Sequence, residues 1–224
     1  MSHDADLGKL IRVKLEALGI ETPMLNRQGT FNNECCSGGS RWNKVFNATE
    51  DVLEALGLDL NDDSLNGTSK RIAKMYCQEI FTGLDYDNFP KCTTVENKMR
   101  YDEMVCVTNI DIKSMCEHHF MPFIGTAAIA YIPRDKVLGL SKFNRVANFF
   151  ARRPQIQERL TEQITAALQF ILGTEDVAVV IRAEHYCVKM RGVEDNSITV
   201  TSKLDGKFRL KPELRAEFLS LAHA

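Results

Sequence analysis

The chain has 224 residues, with 28 basic and 30 acidic side chains and a formal net charge of −2. A charge so near zero argues against a general nucleic-acid or membrane-surface protein, and no apolar run approaches the roughly 20 residues of a membrane span. The length suffices to bury one sizeable core. Seven irregularly spaced cysteines fit reduced thiols, some of them ligands, better than a disulfide framework. The polar, acidic start Met1-Ser2-His3-Asp4-Ala5-Asp6 is unlike a signal peptide, so the expected compartment is the cytoplasm.

Leu7, Leu10, Ile11, Leu15 and Leu18 recur at helical spacing over residues 5–19, and Gly19 ends that helix. Residues 20–41 are rich in Pro, Asn and Gly and read as a linker, which carries Cys35-Cys36. Val45, Val52, Leu53, Leu56 and Leu58 mark a second helix. A third has Ile72, Met75, Tyr76 and Ile80 on one face, with Ser69 as its candidate cap. The chain is expected to divide into an N-terminal helical region, 1–60, and a main domain, 61–224.

Past Pro90 the pattern changes to strand, over residues 94–112 and again over 121–132. A helix begins at Ser141, with Phe143, Val146, Ala147 and Phe150 on its face. Pro154 breaks it and starts the next, which runs through Ile156, Leu160, Ile164, Leu168 and Ile171 to Gly173. The apolar run Val177–Ile181 is a strand heading toward His185, and residues 197–202 alternate as a half-buried strand. A last helix spans about Pro212 to Leu221. The order strand-strand-helix-helix-strand-strand gives an α+β fold, an antiparallel sheet with its helices on one face.

Three of the five histidines fall in two short stretches, Cys116-Glu117-His118-His119 and His185-Tyr186-Cys187. Soft imidazole and thiolate donors gathered this way suit zinc. Cys116 and His119, three apart, can reach one ion from a turn. His185 and Cys187, two apart on a predicted strand, point to the same face. Three arrangements are compatible with this spacing. All four can be ligands of a closed structural site. Three can be ligands of an open site, whose water has its pKa lowered to about 7. The two cysteines can also be a redox pair, or inert, with no metal. His118 favours the open site, because hydrolysis needs proton carriers near the metal and a structural site does not.

Other residues are ambiguous when read alone. Lys142 and Arg145, one turn apart at a helix N-terminus, are either an anion site or a solvated basic face. Ser141 reads as a helix cap, and Glu158 as a solvated carboxylate in a first helical turn.

These residues lie in segments that resemble the GTP cyclohydrolase I family. The matches are Cys116-Glu117-His118-His119, the run Gly139-Leu140-Ser141-Lys142-Phe143-Asn144-Arg145, Arg153-Pro154-Gln155-Ile156-Gln157-Glu158-Arg159-Leu160, and His185-Tyr186-Cys187-Val188-Lys189-Met190-Arg191-Gly192. The resemblance runs from about Leu56 to the C-terminus. It implies the tunnelling fold and conversion of GTP and water to 7,8-dihydroneopterin triphosphate and formate, the first step of folate and pterin biosynthesis. It implies Zn2+ on Cys116, His119 and Cys187, with His118 and His185 as the acid–base pair, so that His185 stands beside the metal. It assigns Ser141 to the ribose, and Glu158 with Gln157 to the guanine. Lys142, Arg145 and Arg191 go to the triphosphate, joined by Arg71 and Lys74 from a neighbouring subunit. The family is a homodecamer of two stacked pentamers with active sites at subunit interfaces. Glu117 receives no role beyond a peripheral structural or electrostatic one.

Two departures stand out: Thr68-Ser69-Lys70-Arg71 lacks the proline usual before the first basic residue, and Val193-Glu194-Asp195-Asn196 is less typical of the family. The competing reading is a non-catalytic zinc-stabilised pterin or nucleotide binder, or a regulatory relative. Such a protein would be expected to have lost a catalytic side chain, and none is missing here.

Overall fold

The computed structural model describes residues 2–24 and 39–223; Cys35-Cys36 of the expected linker lie outside the described residues. Helices α1 (Ala5–Ala17), α2 (Ser40–Ala55) and α3 (Thr68–Lys74) come first, and a π-helical turn, Met75–Ile80, continues α3. Ser69 is not the cap of α3. Gly67, at φ 76°, holds that position, and Ser69 is buried inside the helix. Glycine reaches this left-handed conformation without a Cβ penalty.

The expected strand over 94–112 is two strands. β1 (Thr94–Glu96) pairs with a short β4 (Lys136–Leu138) in a separate ribbon, and β2 (Val105–Cys116) belongs to the main sheet. Between them, the Asn97 side chain accepts from Tyr101 N and donates to the carbonyls of Tyr101 and Arg134, which closes a loop that alternation alone does not reveal. β2 then pairs with β3 (Pro122–Tyr131), with a bulge between Val107 and Ile110 where Asn109 sits at φ 55°.

Helix α4 (Ser141–Ala151) starts with Ser141 as its first residue, with Leu140 at the cap position and no side-chain cap. Pro154 does not start the next helix. It lies in β5 (Pro154–Gln155), a parallel edge strand against Met115 and Cys116, and α5 (Gln157–Leu172) begins beyond it. An edge position tolerates proline, which has no N–H to give to the ladder. β6 (Val177–His185), the turn α6 (Tyr186–Lys189), β7 (Ile198–Leu204), α7 (Lys207–Leu210) and α8 (Pro212–His223) complete the chain.

The main sheet has the order β5-β2-β3-β6-β7, antiparallel throughout its four long strands. The α+β reading and the antiparallel pairing therefore hold. On one face, Ile110, Ile112, Phe123 and Ile129 pack against Phe143, Val146 and Phe150 of α4 and Leu160, Ile164 and Leu168 of α5, with Ile11 and Leu15 of α1 in the same core. Each such side chain fully removed from water contributes about 1.5–3 kcal/mol. The helices are not confined to that face. Ala128, Ala130 and Val180 point to the other side and meet Phe208 of α7 and Phe218 of α8. The unbroken apolar run Val177–Ile181 is the sequence trace of a strand covered on both faces.

Candidate metal centre

Cys116, the last residue of β2, is buried. From it the chain reverses into β3 through a turn closed by Phe120 N to Cys116 O (2.9 Å) and Cys116 N to Met121 O (2.8 Å). Phe120 is at φ 53°, a conformation uncommon for an aromatic residue. Its ring lies edge-on to Phe81 and Tyr76, at 5.6 and 6.3 Å between centroids. Glu117 N donates to Gln155 O at 3.0 Å, which ties the turn to β5. His118 and His119 are left exposed at its tip.

The second half arrives on β6. The register Phe123↔His185 sets the end of β6 beside this turn. His185 and Cys187 do not share a strand face as expected, because β6 ends at His185 and Cys187 lies in the helical turn α6. That turn folds Cys187 back, and one donor atom each from Cys116, His119 and Cys187 lies within 4.8 Å of the others. His118 Nδ1 is 3.7 Å from Cys116 Sγ. Two sulfurs and one imidazole nitrogen form a soft donor set that a small contraction would bring to bonding distance from one ion, about 2.3 Å for Zn–S and 2.0–2.1 Å for Zn–N. Without a cation, burial raises the Cys187 thiol pKa, as do its hydrogen bond and charge interaction with Cys116, against the pull of Arg191. A bound cation reverses that balance.

His185 stacks on Phe123, with centroids 4.8 Å apart and planes 10° apart. Its Nε2 lies 2.8 Å from Oε1 of Gln157. Gln157 is buried, and its amide nitrogen donates to Ile181 O (3.1 Å), Thr199 O (3.2 Å) and Thr201 Oγ1 (3.1 Å). Two carbonyls can only accept, so the amide cannot be flipped and Oε1 must face the histidine. His185 therefore donates from Nε2, and its Nδ1 keeps the lone pair. Burial lowers its pKa and so favours the neutral ring, partly opposed by the nearby Glu158 carboxylate. Gln157 thus acts from behind the pocket, through His185.

Of the remaining expected residues, Glu158 and Arg191 adjoin this group and the others lie apart from it. Glu158 is exposed in the first turn of α5. Arg191 reaches His119, Nη1 to Nε2, at 2.9 Å. Ser141 and Arg145 line a cavity of about 530 Å³ with Asn144, Asn148 and Arg152, which none of Cys116, His118, His119, His185 and Cys187 lines. Lys142 and Arg145 lie near Cys92, whose thiol pKa burial pushes up to about 11 against their charges. Arg71 makes local bonds to Thr68 Oγ1 (2.6 Å) and Asn66 O (3.1 Å), and Lys74 pairs with Glu79 at 3.7 Å. One pairing was not visible in the sequence. Glu117 is held by Arg159, 42 residues away; only their opposite charges in two separate matched segments hinted at it.

Fold and site together define a class: α+β proteins with a Cys-His-Cys group that could hold a metal ion where the central strands end. The GTP cyclohydrolase I family matches residues 45–223. A GTP cyclohydrolase 1 of Aeromonas salmonicida is 54% identical, covering 94% of each chain. That of Vibrio cholerae is 52% identical over 98% of each, and that of Tolumonas auensis 50% identical over 99% of this chain and 100% of its own. The chain belongs to the GTP cyclohydrolase I family and is an enzyme of folate and pterin biosynthesis. The similarity begins well before the first functional motif, and the non-catalytic alternative falls away.

Proposed function

We propose that the chain converts GTP and water to 7,8-dihydroneopterin triphosphate and formate with Zn2+ held by Cys116, His119 and Cys187. The observation that carries this reading is the convergence of those three donors within 4.8 Å beside a fixed, neutral His185. The metal, when bound, supplies Lewis acidity that brings the pKa of a water molecule down to about 7. The protein's own residues do the rest. His185, a neutral ring with its Nε2 proton committed to Gln157, offers Nδ1 as a base. His118, exposed and next to Cys116, is the second proton carrier for opening the imidazole ring of the base and releasing its C8 as formate.

Glu158 is an acceptor-only side chain, which matches the two donors of guanine, N1–H and the amino group, and not adenine. Gln157 serves the base pocket by holding His185. Ser141 handles the ribose at the first turn of α4. Lys142, Arg145 and Arg191 take the triphosphate through charge-assisted hydrogen bonds.

Arg71 and Lys74 complete the site from a neighbouring copy, within a homodecamer of two stacked pentamers. Among the described residues no strand pairs with the outer edge of β7, where Ile198 and Val200 are exposed, and β5 covers the outer edge of β2 at its end alone; both edges support assembly through sheet edges. The catalytic unit is a tunnelling-fold domain over 61–224, following the helical region 1–60. It works in the cytoplasm, where thiols stay reduced.

The test is formate release from GTP. Zinc-reconstituted, assembled protein is expected to release it, to stop when a chelator strips the metal, and to resume on adding zinc. GTP left intact by the zinc-loaded assembly would overturn the proposal.

A further inference from the structure

We propose that Glu117 and Arg159 form a positioning pair that presets the metal-binding turn, so that zinc affinity depends on an ion pair outside the donor set. This rests on the reading of Cys116, His119 and Cys187 as zinc ligands.

Glu117 stands between the donor Cys116 and His118, yet its carboxylate is not part of the 4.8 Å donor group. It faces Arg159 instead. Nη1 donates to Oε2 at 2.6 Å and Nη2 to Oε1 at 3.2 Å, a two-pronged match of guanidinium to carboxylate. The two side chains are only 15% and 25% exposed, so solvent and salt screen this pair less than a surface ion pair.

The main chain of Glu117 is held from the same side, by Gln155 O and by the pairing of Cys116 with Gln155. The turn is therefore fastened to the β5–α5 segment at both backbone and side chain. That segment is rigid, because Leu160, Ile164 and Leu168 of α5 are fully enclosed in the core. Two residues before Arg159, Gln157 fixes His185. One helical turn thus sets both halves of the centre: Gln157 the histidine on β6, Arg159 the turn after β2. At the tip, His118, His119 and Phe120 are exposed and Phe120 sits in a left-handed conformation, with the Phe120 ring against Phe81 and Tyr76 and the Arg191–His119 bond as its other side-chain contacts described above. Ligands held in place before the ion arrives do not have to be ordered by it. Loss of such supporting partners typically costs 10–100-fold in metal affinity or activity.

The experiment measures zinc dissociation constants of full-length, assembled protein by competition with a chromogenic chelator. Glu117→Ala and Arg159→Ala are each expected to weaken zinc by about 10–100-fold. The double variant should be no weaker than either single one, as partners in one interaction behave. Arg159→Lys keeps the charge without the fork and should fall between. The cobalt-substituted Glu117→Ala protein should show a shifted absorption spectrum, because the donors rearrange.

Glu117→Gln preserves shape and secures the test if the alanine variants fail to fold; it should still weaken zinc. Zinc affinity unchanged in Glu117→Gln or Arg159→Lys, or fully additive losses in the double variant, would overturn the pair's role even if thermal stability fell. Failure of the site reading looks different: Cys116→Ala would then bind zinc as tightly as the unaltered protein.

Discussion

Arg153 and the metal centre stand at the two ends of one short segment, Arg153 to Gln157, and use polar side chains in opposite ways. Arg153 is fully enclosed. Its guanidinium donates to Glu21 (3.0 Å), to the Tyr86 hydroxyl (3.4 Å) and to the Gly83 carbonyl, and the rings of Tyr86, Phe149 and Phe150 lie 4.9–5.1 Å from its centre. The Tyr86 hydroxyl in turn donates to Glu21. At the metal centre, His118, His119, Glu158 and Arg191 are exposed, on backbone that is fastened from behind. A charge whose partners are all protein groups serves the fold. Polar groups lined up on a rigid support, with solvent in front of them, are available to a ligand.

Two variants should separate these roles most strongly. Cys187→Ala removes a donor from a half-buried turn. It should abolish zinc binding and formate release and shift the urea unfolding midpoint little. Arg153→Met should do the reverse. Removing the cation leaves the Glu21 carboxylate without its counter-charge, and breaking a buried pair this way costs about 3–5 kcal/mol. The fraction that stays folded should bind zinc normally. Global unfolding of Cys187→Ala, or an Arg153→Met protein as stable as the original, would break the contrast.

Gln157 belongs to both regimes, buried like Arg153 but ending on His185. Gln157→Leu frees the imidazole to turn and to change tautomer. The expected result is a fall in kcat of about 10²-fold, the scale of a small misplacement of a reacting group, at unchanged zinc content. Gln157→Glu tests the electrostatics. Burial lowers the His185 pKa, so loss of activity by its protonation falls below the ordinary imidazole range. A carboxylate on its N–H stabilises the imidazolium, and the acid limb of the pH–rate profile should move to higher pH. An unmoved limb would mean that a different group sets it.

Cys116, His119, His185 and Cys187 stood out as candidates because soft donors gather in two short stretches, but spacing left all four open as ligands; it was the family resemblance that set His185 aside, and the geometry groups the other three. The path that joins them was not legible. His185-Tyr186-Cys187-Val188 has strand-forming residues, and context bends it into a helical turn. Pro154 fits a first helical position equally well, and only its pairing with Met115 shows an edge strand. The sheet was readable from alternation and from the apolar run of β6, whereas the face that α8 covers depends on where Phe208 and Phe218 meet Ala130 and Val180. Arg153 and Gln157 stood inside a recognised motif, but their roles lie in partners distant in sequence, Glu21 for one and Thr199 and Thr201 for the other. Spacing does not encode such contacts.

Arg71 lies outside both regions, bonded only to its own loop in the contacts described above. If it reaches the triphosphate of a neighbouring copy, Arg71→Ala should raise KM about tenfold, the loss of one hydrogen bond to a charged group, with zinc content unchanged. Assemblies mixed from Arg71→Ala and Cys187→Ala subunits should then recover activity, since some sites would receive an intact residue from each. No recovery in verified mixed assemblies would sink the shared site.

The smallest effect belongs to Asp85, at the rim of the Arg153 cage. Its carboxylate accepts from Asp87 N at 3.0 Å and starts the 3₁₀ turn that carries Tyr86. Burial raises its pKa, and the Asp87 carboxylate adds to the rise. The Asp87 N–H bond and the charges of Arg41 and His3 oppose it without cancelling it. A raised folded pKa means that folding favours the protonated form. That contribution is complete below the ordinary aspartate value of about 3.9 and is lost as pH rises through the raised value. At neutral pH the charge is therefore a small liability at the rim of the cage. Asp85→Asn keeps an acceptor oxygen for Asp87 N–H and removes the charge. It should unfold at slightly higher urea than the original protein at pH 7, with the difference vanishing below about pH 4, while formate release stays the same. A variant less stable at pH 7 would show that the turn needs the carboxylate's charge. The rim of the cage would then hold a charge to advantage, as the metal centre does.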